Sequence, residues 1–246
     1  MKNEISDSAH IIGEVKMGSG NFVSNGATII GPISIGDNNF FGPNCVVGTP
    51  PQDDLFGLKS HKAAALGQSS EFFGVEIGSR NIIREFVTIH KGLTSPTTIK
   101  DDCYLMSYAH IAHDCSISSQ VKIANTVQMG GYTSILDGAY VGLSAVIHQF
   151  SVIGHYSMVG MGSIVTRNVP PAGLAVGSPA RTLKINEIAV RKLGITEIDW
   201  AQIYLSKPSI DSVHPNLVRN FEEFEIVKSD RASQRKVISE WRNQKR

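Results

Sequence analysis

Histidine and aspartate side chains near the middle of the chain could carry acid–base chemistry. They are concentrated beside a pair of glycines, as His90, His110, His113, Asp114, Gly130, Gly131 and His148. The densest group is Ala-His-Ile-Ala-His-Asp-Cys at 109–115. A neutral imidazole is suited to act as a general base, because its unperturbed pKa of about 6.5 lies close to neutral pH. His110 and His113 are therefore candidate bases, and Asp114 could orient the neighbouring ring.

The element that must position these side chains is a six-residue repeat. An aliphatic residue or methionine occupies every sixth position from Ile99 to Val165, and a small or slim residue lies two positions before each one. This period fits neither a strand, which repeats at about 2 residues, nor a helix, which repeats at about 3.6. A fixed hexapeptide period predicts a parallel β-helix, in which each coil covers the apolar face of the next. In this register Ile111 points inward, so His110 and His113 can reach the outer surface.

The repeat also predicts how the chain is divided. The same register runs from Ile11 to Val47, breaks at about 49–75, and resumes at Ile77. We interpret the break as a loop extruded from the solenoid, followed by a shorter interruption at 91–96. Because prolines at 170 and 171 remove backbone donors, the sequence predicts a β-helix over 1–171 and a C-terminal helical region over 172–246. The helical patterns of that region lie at about 183–193, at about 199–205 before Pro208, and from 216 onward.

Composition limits the possible partners. The 246 residues carry a formal net charge of +1, which gives no general case for nucleic-acid binding. The N-terminal residues contain no apolar signal region, and no stretch approaches about 18 apolar residues. We therefore expect a cytoplasmic protein without a membrane span. Cys45, Cys103 and Cys115 all fall in the small-residue column, which predicts buried packing residues rather than disulfides or zinc ligands.

The pattern resembles the left-handed parallel β-helix of the hexapeptide-repeat acyltransferases, in which three hexapeptides make one triangular coil. Among these, the chain is similar to the UDP-N-acetylglucosamine O-acyltransferases that open lipid A biosynthesis. The similarity covers most of residues 9–194 and includes His-x-x-His-Asp-Cys and His-Gln-Phe elements. The stretches that carry it are Gln52-Asp53, 75–92, 109–115 and 145–150.

The resemblance implies an acyltransferase that moves an acyl group from an acyl-carrier-protein thioester to a hydroxyl of a UDP-linked N-acetylated sugar. It implies His113 as the general base, with Asp114 beside it, and the backbone N–H of Gly131 as the donor to the oxyanion. The substrate-binding residues that it implies are Asp53, His90, His110, Gln149, Asn186 and Lys192. It further implies a homotrimer with sites between adjacent solenoids, and a carrier-protein or coenzyme A thioester as co-substrate without a cofactor or metal.

Four positions depart from the family pattern, and one of them is Ile188, which stands at a glutamate position. Tyr132 stands where the family usually has histidine, and Lys192 stands at an arginine position. Lysine cannot reproduce a bidentate guanidinium contact to phosphate, so altered recognition of the nucleotide sugar is implied. Met161 lies where the family sets acyl length and is bulkier than the glycine of long-chain enzymes. A shorter acyl chain is therefore implied.

Other interpretations of these residues are open. Gly-Ser-Pro-Ala at 177–180 resembles the end motif of acetyltransferases that use coenzyme A. It favours an acetyl-CoA-dependent O- or N-acetyltransferase acting on a nucleotide-linked sugar of surface polysaccharide. A metal-dependent protein similar to the γ-type carbonic anhydrases could bind zinc through His90, His110 and His113 or His148. A non-catalytic scaffold would leave the histidines as solvated surface groups.

Overall fold

The computed structural model describes residues 1–54, 57–68, 72–201, 204 and 214–245. Its helices are α1 (Leu58–Ala65), α2 (Glu187–Leu193), α3 (Glu197–Ala201) and α4 (Pro215–Lys245). Its strands are β1 (Glu4–Ile5), β2 (His10–Ile12), β3 (Val15–Met17), β4 (Phe22–Val23), β5 (Thr28–Ile30), β6 (Ile33–Ile35), β7 (Phe40–Phe41), β8 (Val46–Thr49), β9 (Val75–Ile77), β10 (Ile82–Ile83), β11 (Thr88–His90), β12 (Thr97–Ile99), β13 (Tyr104–Leu105), β14 (His110–Ile111), β15 (Ser116–Ile117), β16 (Lys122–Ile123), β17 (Gln128–Met129), β18 (Ser134–Ile135), β19 (Tyr140–Val141), β20 (Val146–Ile147), β21 (Val152–Ile153), β22 (Met158–Val159), β23 (Ile164–Val165), β24 (Gly173–Gly177) and β25 (Ala180–Ile185).

The strands form three long sheets that are the three faces of a solenoid. Sheet A has the order β1-β4-β7-β10-β13-β16-β19-β22-β24-β25, sheet B β2-β5-β8-β11-β14-β17-β20-β23, and sheet C β3-β6-β9-β12-β15-β18-β21. Every third strand pairs in parallel, so that Ile123 lies between Leu105 and Val141 in sheet A. Three hexapeptides therefore make one coil, which confirms the predicted left-handed parallel β-helix.

The apolar column of the repeat is the core. All twelve positions from Ile99 to Val165 are at most 2% exposed, and the slim residues between them are buried as well. Removing a side chain of this size from water stabilises the fold by about 1.5–3 kcal/mol. The three cysteines are buried and free, as predicted. Ile11 is 40% exposed because its strand, β2, is the edge of sheet B and pairs only with β5 among the described strands.

Both interruptions of the repeat leave the solenoid at the same corner, where sheet B passes into sheet C. The segment 50–74 connects β8 to β9, and the segment 91–96 connects β11 to β12. The longer segment contains α1, which the sequence did not predict. Lys91 attaches this helix to the solenoid, because its Nζ donates a hydrogen bond of 3.1 Å to the carbonyl oxygen of Ala64. We call this edge of the solenoid the B–C corner.

The C-terminal part differs from the helical pattern that the sequence predicts. Residues 180–185 form β25, which pairs antiparallel with β24, so the predicted helix at 183–193 begins only at Glu187. Asn186 caps α2 by accepting a hydrogen bond from the N–H of Ile188, and Gly194 ends the helix at φ 66°. The predicted end of the next helix at Pro208 lies outside the described residues. The division of the chain at residue 171 stays a prediction.

The last helix packs along sheet C. Phe224 of α4 clusters with Leu136 and Val152, and the Nε of Arg231 donates a hydrogen bond to Ser134. None of the helices in the described residues has the length and apolar character that a membrane span needs.

Candidate active site

The B–C corner brings together most of the chemistry-bearing residues. His113, Gly131 and Gln149 follow β14, β17 and β20, which are neighbours in sheet B. They therefore occupy the same place in three consecutive coils. The turn residue after each one adopts the left-handed conformation, with φ of 57° at Asp114 and 60° at Tyr132. This backbone geometry directs consecutive corner side chains into one stack.

His113 and Asp114 form a hydrogen-bonded pair. The Nδ1 atom of His113 lies 2.8 Å from Oδ2 of Asp114, and both side chains are buried. Burial would raise the pKa of Asp114, but hydrogen bonds from His113, from the N–H groups of Leu93 and Thr94, and from the Thr94 hydroxyl lower it below its usual value. An ionised Asp114 accepts a hydrogen bond from the Nδ1–H of His113, so the Nε2 atom of a neutral His113 is left as an acceptor.

The 91–96 interruption surrounds the side chain of Asp114 with hydrogen-bond donors. The carboxylate of Asp114 accepts hydrogen bonds from the backbone N–H groups of Leu93, Thr94 and Ser95 at 2.7, 2.8 and 2.8 Å. The side-chain hydroxyls of Thr94 and Ser95 also donate to it. The interruption is visible in the sequence, but its role at Asp114 is not. The usable sign was that the break falls one coil before the His-Asp pair, at the same corner.

Aromatic rings and a glycine fix the His113 imidazole from two sides. The ring of Tyr132 meets it edge to face at 5.2 Å and stacks on Phe150 at 4.6 Å. On the other side, a Cβ atom on Gly131 would lie only 2.7 Å from Nε2 of His113. The imidazole can occupy this place because residue 131 has no side chain. No hydrogen bond between described residues uses the N–H of Gly131, so that donor is available to a ligand.

Two further histidines extend the site along sheet B. The rings of His90 and His110 meet edge to face at 4.9 Å, and Nδ1 of His110 lies 2.8 Å from the Thr88 hydroxyl. Burial, followed by the nearby His110 and His113, lowers the pKa of His90 to about 4, and burial followed by His113 lowers the pKa of His110. Both rings are therefore neutral at pH 7. Nδ1 of His90 is buried without a hydrogen-bond partner among the described residues.

Three of the remaining predicted site residues, Asn186, Lys192 and Met161, lie at other corners of the solenoid. Asn186 and Lys192 both lie beside Tyr156 at a different corner. Nδ2 of Asn186 donates to the carbonyl oxygen of Tyr156, and Nζ of Lys192 lies 5.7 Å from the centroid of the Tyr156 ring. Met161 is 76% exposed at the third corner. Asp53 is buried in the extruded segment. Their predicted contacts with nucleotide, acyl chain and sugar stay predictions.

The described residues contain no group of three His, Cys, Asp or Glu side chains arranged to hold a metal ion. The metal-dependent alternative therefore has no ligand set in this part of the chain. Neutral, partly buried imidazoles instead offer hydrogen bonds to an uncharged polar ligand.

The solenoid and its polar corner define the class of left-handed β-helical hexapeptide-repeat proteins. Within this class, the chain is similar to UDP-N-acetylglucosamine O-acyltransferases. An acyl-[acyl-carrier-protein]–UDP-N-acetylglucosamine O-acyltransferase of Burkholderia mallei (strain SAVP1) is 42% identical over 123 residues, or 49% of this chain and 47% of the relative. The chain thus spans about half the length of the curated relatives it matches. No protein-family model matches it.

Solved structures extend the similarity over nearly the whole chain. A UDP-N-acetylglucosamine O-acyltransferase from Moraxella catarrhalis RH4 superposes with a TM-score of 0.70 at 25% identity, covering 94% of this chain and 95% of that one. A UDP-N-acetylglucosamine acyltransferase from Bacteroides fragilis 9343 superposes with a TM-score of 0.66 at 25% identity, covering 92% and 94%.

Proposed function

We propose that this protein is an acyltransferase that moves an acyl group from an acyl-carrier-protein thioester to a hydroxyl of a UDP-linked N-acetylated sugar. The names of its relatives support the reaction class. The observation that carries the proposal is the 2.8 Å His113–Asp114 pair, whose imidazole lies directly against the backbone of Gly131. A base and an unused N–H donor at one place are what acyl transfer to a hydroxyl requires.

The proton follows a short path in this proposal. Nε2 of His113 removes the proton of the sugar hydroxyl while that oxygen attacks the thioester carbonyl carbon. Asp114 stabilises the imidazolium that forms, because its carboxylate already accepts the hydrogen bond from Nδ1. When the carbon–sulfur bond breaks, the imidazolium returns the proton to the leaving sulfur. The products are the sugar ester and a carrier-protein thiol.

The negative charge of the intermediate needs a donor. We assign this role to the N–H of Gly131, which is next to the imidazole and makes no hydrogen bond to other described residues. Loss of a single donor of this kind costs about 2.7–4 kcal/mol of transition-state stabilisation. His110 and His90 are neutral and would hydrogen-bond the uncharged sugar, together with Asp53.

The complete site needs a second copy of the chain. The proposed nucleotide contacts, Asn186 and Lys192, lie at a different corner from His113, so one solenoid does not bring both sets together. A homotrimer with sites between solenoids would join the B–C corner of one subunit to the other set of its neighbour. Acyl carrier protein and UDP-sugars meet in the cytoplasm, where we expect the enzyme in lipid A synthesis.

The proposal is tested by measuring the mass of the sugar product that the purified protein forms. We expect UDP-N-acetylglucosamine, offered with a series of 3-hydroxyacyl carrier-protein thioesters, to gain one hydroxyacyl mass. His113→Ala should lower kcat by about 10²–10⁴-fold. The matched control is His10→Ala, an exposed histidine at the edge of the same sheet, which should leave the rate unchanged.

The donor decides between the two transferase interpretations. Product from carrier-bound hydroxyacyl groups supports the proposal. If only acetyl-CoA reacts, and only with another nucleotide sugar, the protein is the polysaccharide acetyltransferase instead. Equal rates for His113→Ala and the unmodified protein would remove His113 from the mechanism.

A further inference from the structure

A buried arginine of the C-terminal helix reaches the back of the B–C corner. Arg231 is only 8% exposed, and its Nε donates a 2.7 Å hydrogen bond to the hydroxyl of Ser134, 97 residues away in sequence. Its Nη1 donates to Oε1 of Gln234, one turn further along α4. Ser134 begins the strand that follows Gly131 and Tyr132, so the guanidinium holds the end of the turn that lies against His113.

The guanidinium of Arg231 places a positive charge in a buried position. None of the ion pairs between described residues includes its guanidinium. A buried cation without such a partner is costly, and burial accordingly lowers the pKa of Arg231 below its usual value. A structural hydrogen bond to one serine could be made by a neutral side chain, so the positive charge itself requires an explanation.

The charged and titratable groups that face Arg231 point to the proposed catalytic pair. The groups that interact electrostatically with the guanidinium are Cys115, Asp114 and Tyr132 of the solenoid and Asp230 of its own helix. Burial holds the Cys115 thiol neutral by raising its pKa to about 12. Asp114 is therefore the ionised group at the B–C corner that interacts electrostatically with the guanidinium.

We propose that Arg231 is a positioning residue for acyl transfer, which fixes the turn at 130–134 through Ser134 and supplies positive charge behind the His113–Asp114 pair. This inference rests on the function proposed above. The cation favours the ionised form of Asp114, so that Nδ1 of His113 keeps its proton and Nε2 stays available. It also opposes the charging of His113, whose other charged or titratable neighbours are His90, His110 and Asp114.

Two variants separate the effect of the positive charge from the effect of the hydrogen bond to Ser134. Arg231→Gln keeps a donor for Ser134 and removes the charge. We expect the acid limb of its kcat/KM profile to move to higher pH by about half a unit, because protonated His113 is no longer opposed. Ser134→Ala keeps the charge and loosens the turn. We expect a fall in kcat of about tenfold with an unmoved acid limb.

Two further variants are the controls. Arg231→Lys keeps the charge and should restore the acid limb of the unmodified protein. Arg235→Gln removes an exposed arginine four residues along the same helix, and should change neither kcat nor the limb. A merely structural Arg231 would lower the melting temperature without moving the pH profile of the molecules that remain folded.

A readout without turnover separates this inference from the proposed function. The titration of the His113 imidazole, followed by its ¹⁵N resonances, should shift upward in Arg231→Gln and not in Arg235→Gln. Absence of product from the unmodified protein with every donor would overturn the proposed function. Coinciding His113 titration midpoints in Arg231→Gln and the unmodified protein would overturn the role of Arg231, whether or not product forms.

Discussion

At the scale of single residues, the site depends on glycine, which has no side chain, at position 131. The imidazole of His113 lies where a Cβ atom on residue 131 would be, at 2.6 Å from Cε1 and 2.7 Å from Nε2. Real Cβ atoms do not approach other atoms so closely, so any larger residue must displace the ring. Tyr132 blocks movement on the other side, since its ring meets the imidazole at 5.2 Å.

We therefore expect Gly131→Ala to fold and to lose catalysis. Residue 131 is not one of the positive-φ positions, so alanine is compatible with the backbone. Displacing the base by about 1 Å should lower kcat by about 10²-fold. Steady-state kinetics with the sugar and acyl donor measure the loss. The control is Gly57→Ala, where an added Cβ meets no described residue within 4 Å. A Gly131→Ala enzyme with unchanged kcat would show that His113 is not confined as described.

At the scale of elements, the repeat could be predicted because its physics is periodic. Each apolar residue from Ile99 to Val165 must be covered by the coil above and below, and that requirement shows in sequence as an unbroken column. The same column predicted the burial of the cysteines and the outward position of His113. Packing of this kind depends on residue type and spacing alone, both of which a sequence contains.

The corners could not be predicted in this way. Phe86, Tyr108 and Thr126 adopt φ of 59°, 63° and 61°, although bulky and β-branched residues favour negative φ. Hydrogen bonds between coils hold them there, as when the N–H of Thr126 donates to the carbonyl of Ser107. Arg231 was missed for a similar reason, because a basic helix gives no sign of which arginine is buried. The predicted helix at about 183–193 wrongly included residues 183–185, because helical spacing in the sequence does not reveal their pairing with β24.

The extruded segment supplies the prediction at this scale. Lys91, which is 1% exposed, holds α1 through the Ala64 carbonyl, and burial lowers the pKa of Lys91 from 10.5 to about 8. Between these two values the unfolded chain binds more protons than the folded chain, so this lysine makes the protein more stable as pH rises through the window. We expect the unfolding free energy of Lys91→Met, minus that of the unmodified protein, to fall by about 3 kcal/mol from about pH 7 to about pH 11.

Denaturant titrations at several pH values measure this difference. Lys62→Met is the matched control, because Lys62 is an exposed lysine on α1 and should show a difference that does not vary with pH. The same flat difference for Lys91→Met would mean that the Lys91 ammonium is as well solvated in the folded protein as in the unfolded chain.

At the scale of the whole molecule, the separation of the two residue sets predicts complementation between subunits. His113 lies at the B–C corner and Lys192 lies beside Tyr156 at another corner. If each site joins these corners from neighbouring subunits of a trimer, His113→Ala and Lys192→Ala damage opposite sides of the same interface. Each variant alone should be at least about tenfold less active than the unmodified protein.

Mixed trimers should recover part of the lost activity. After the two variants are unfolded together and refolded at equal amounts, about a quarter of the interfaces pair an intact His113 with an intact Lys192. Activity should therefore rise to about a quarter of the unmodified rate, while each variant refolded alone keeps its own lower rate. Light scattering should give three times the mass of the chain in every sample. Trimers that form without recovering activity would mean that both residues serve a site within one subunit. Full activity of Lys192→Ala refolded alone would mean that Lys192 does not take part.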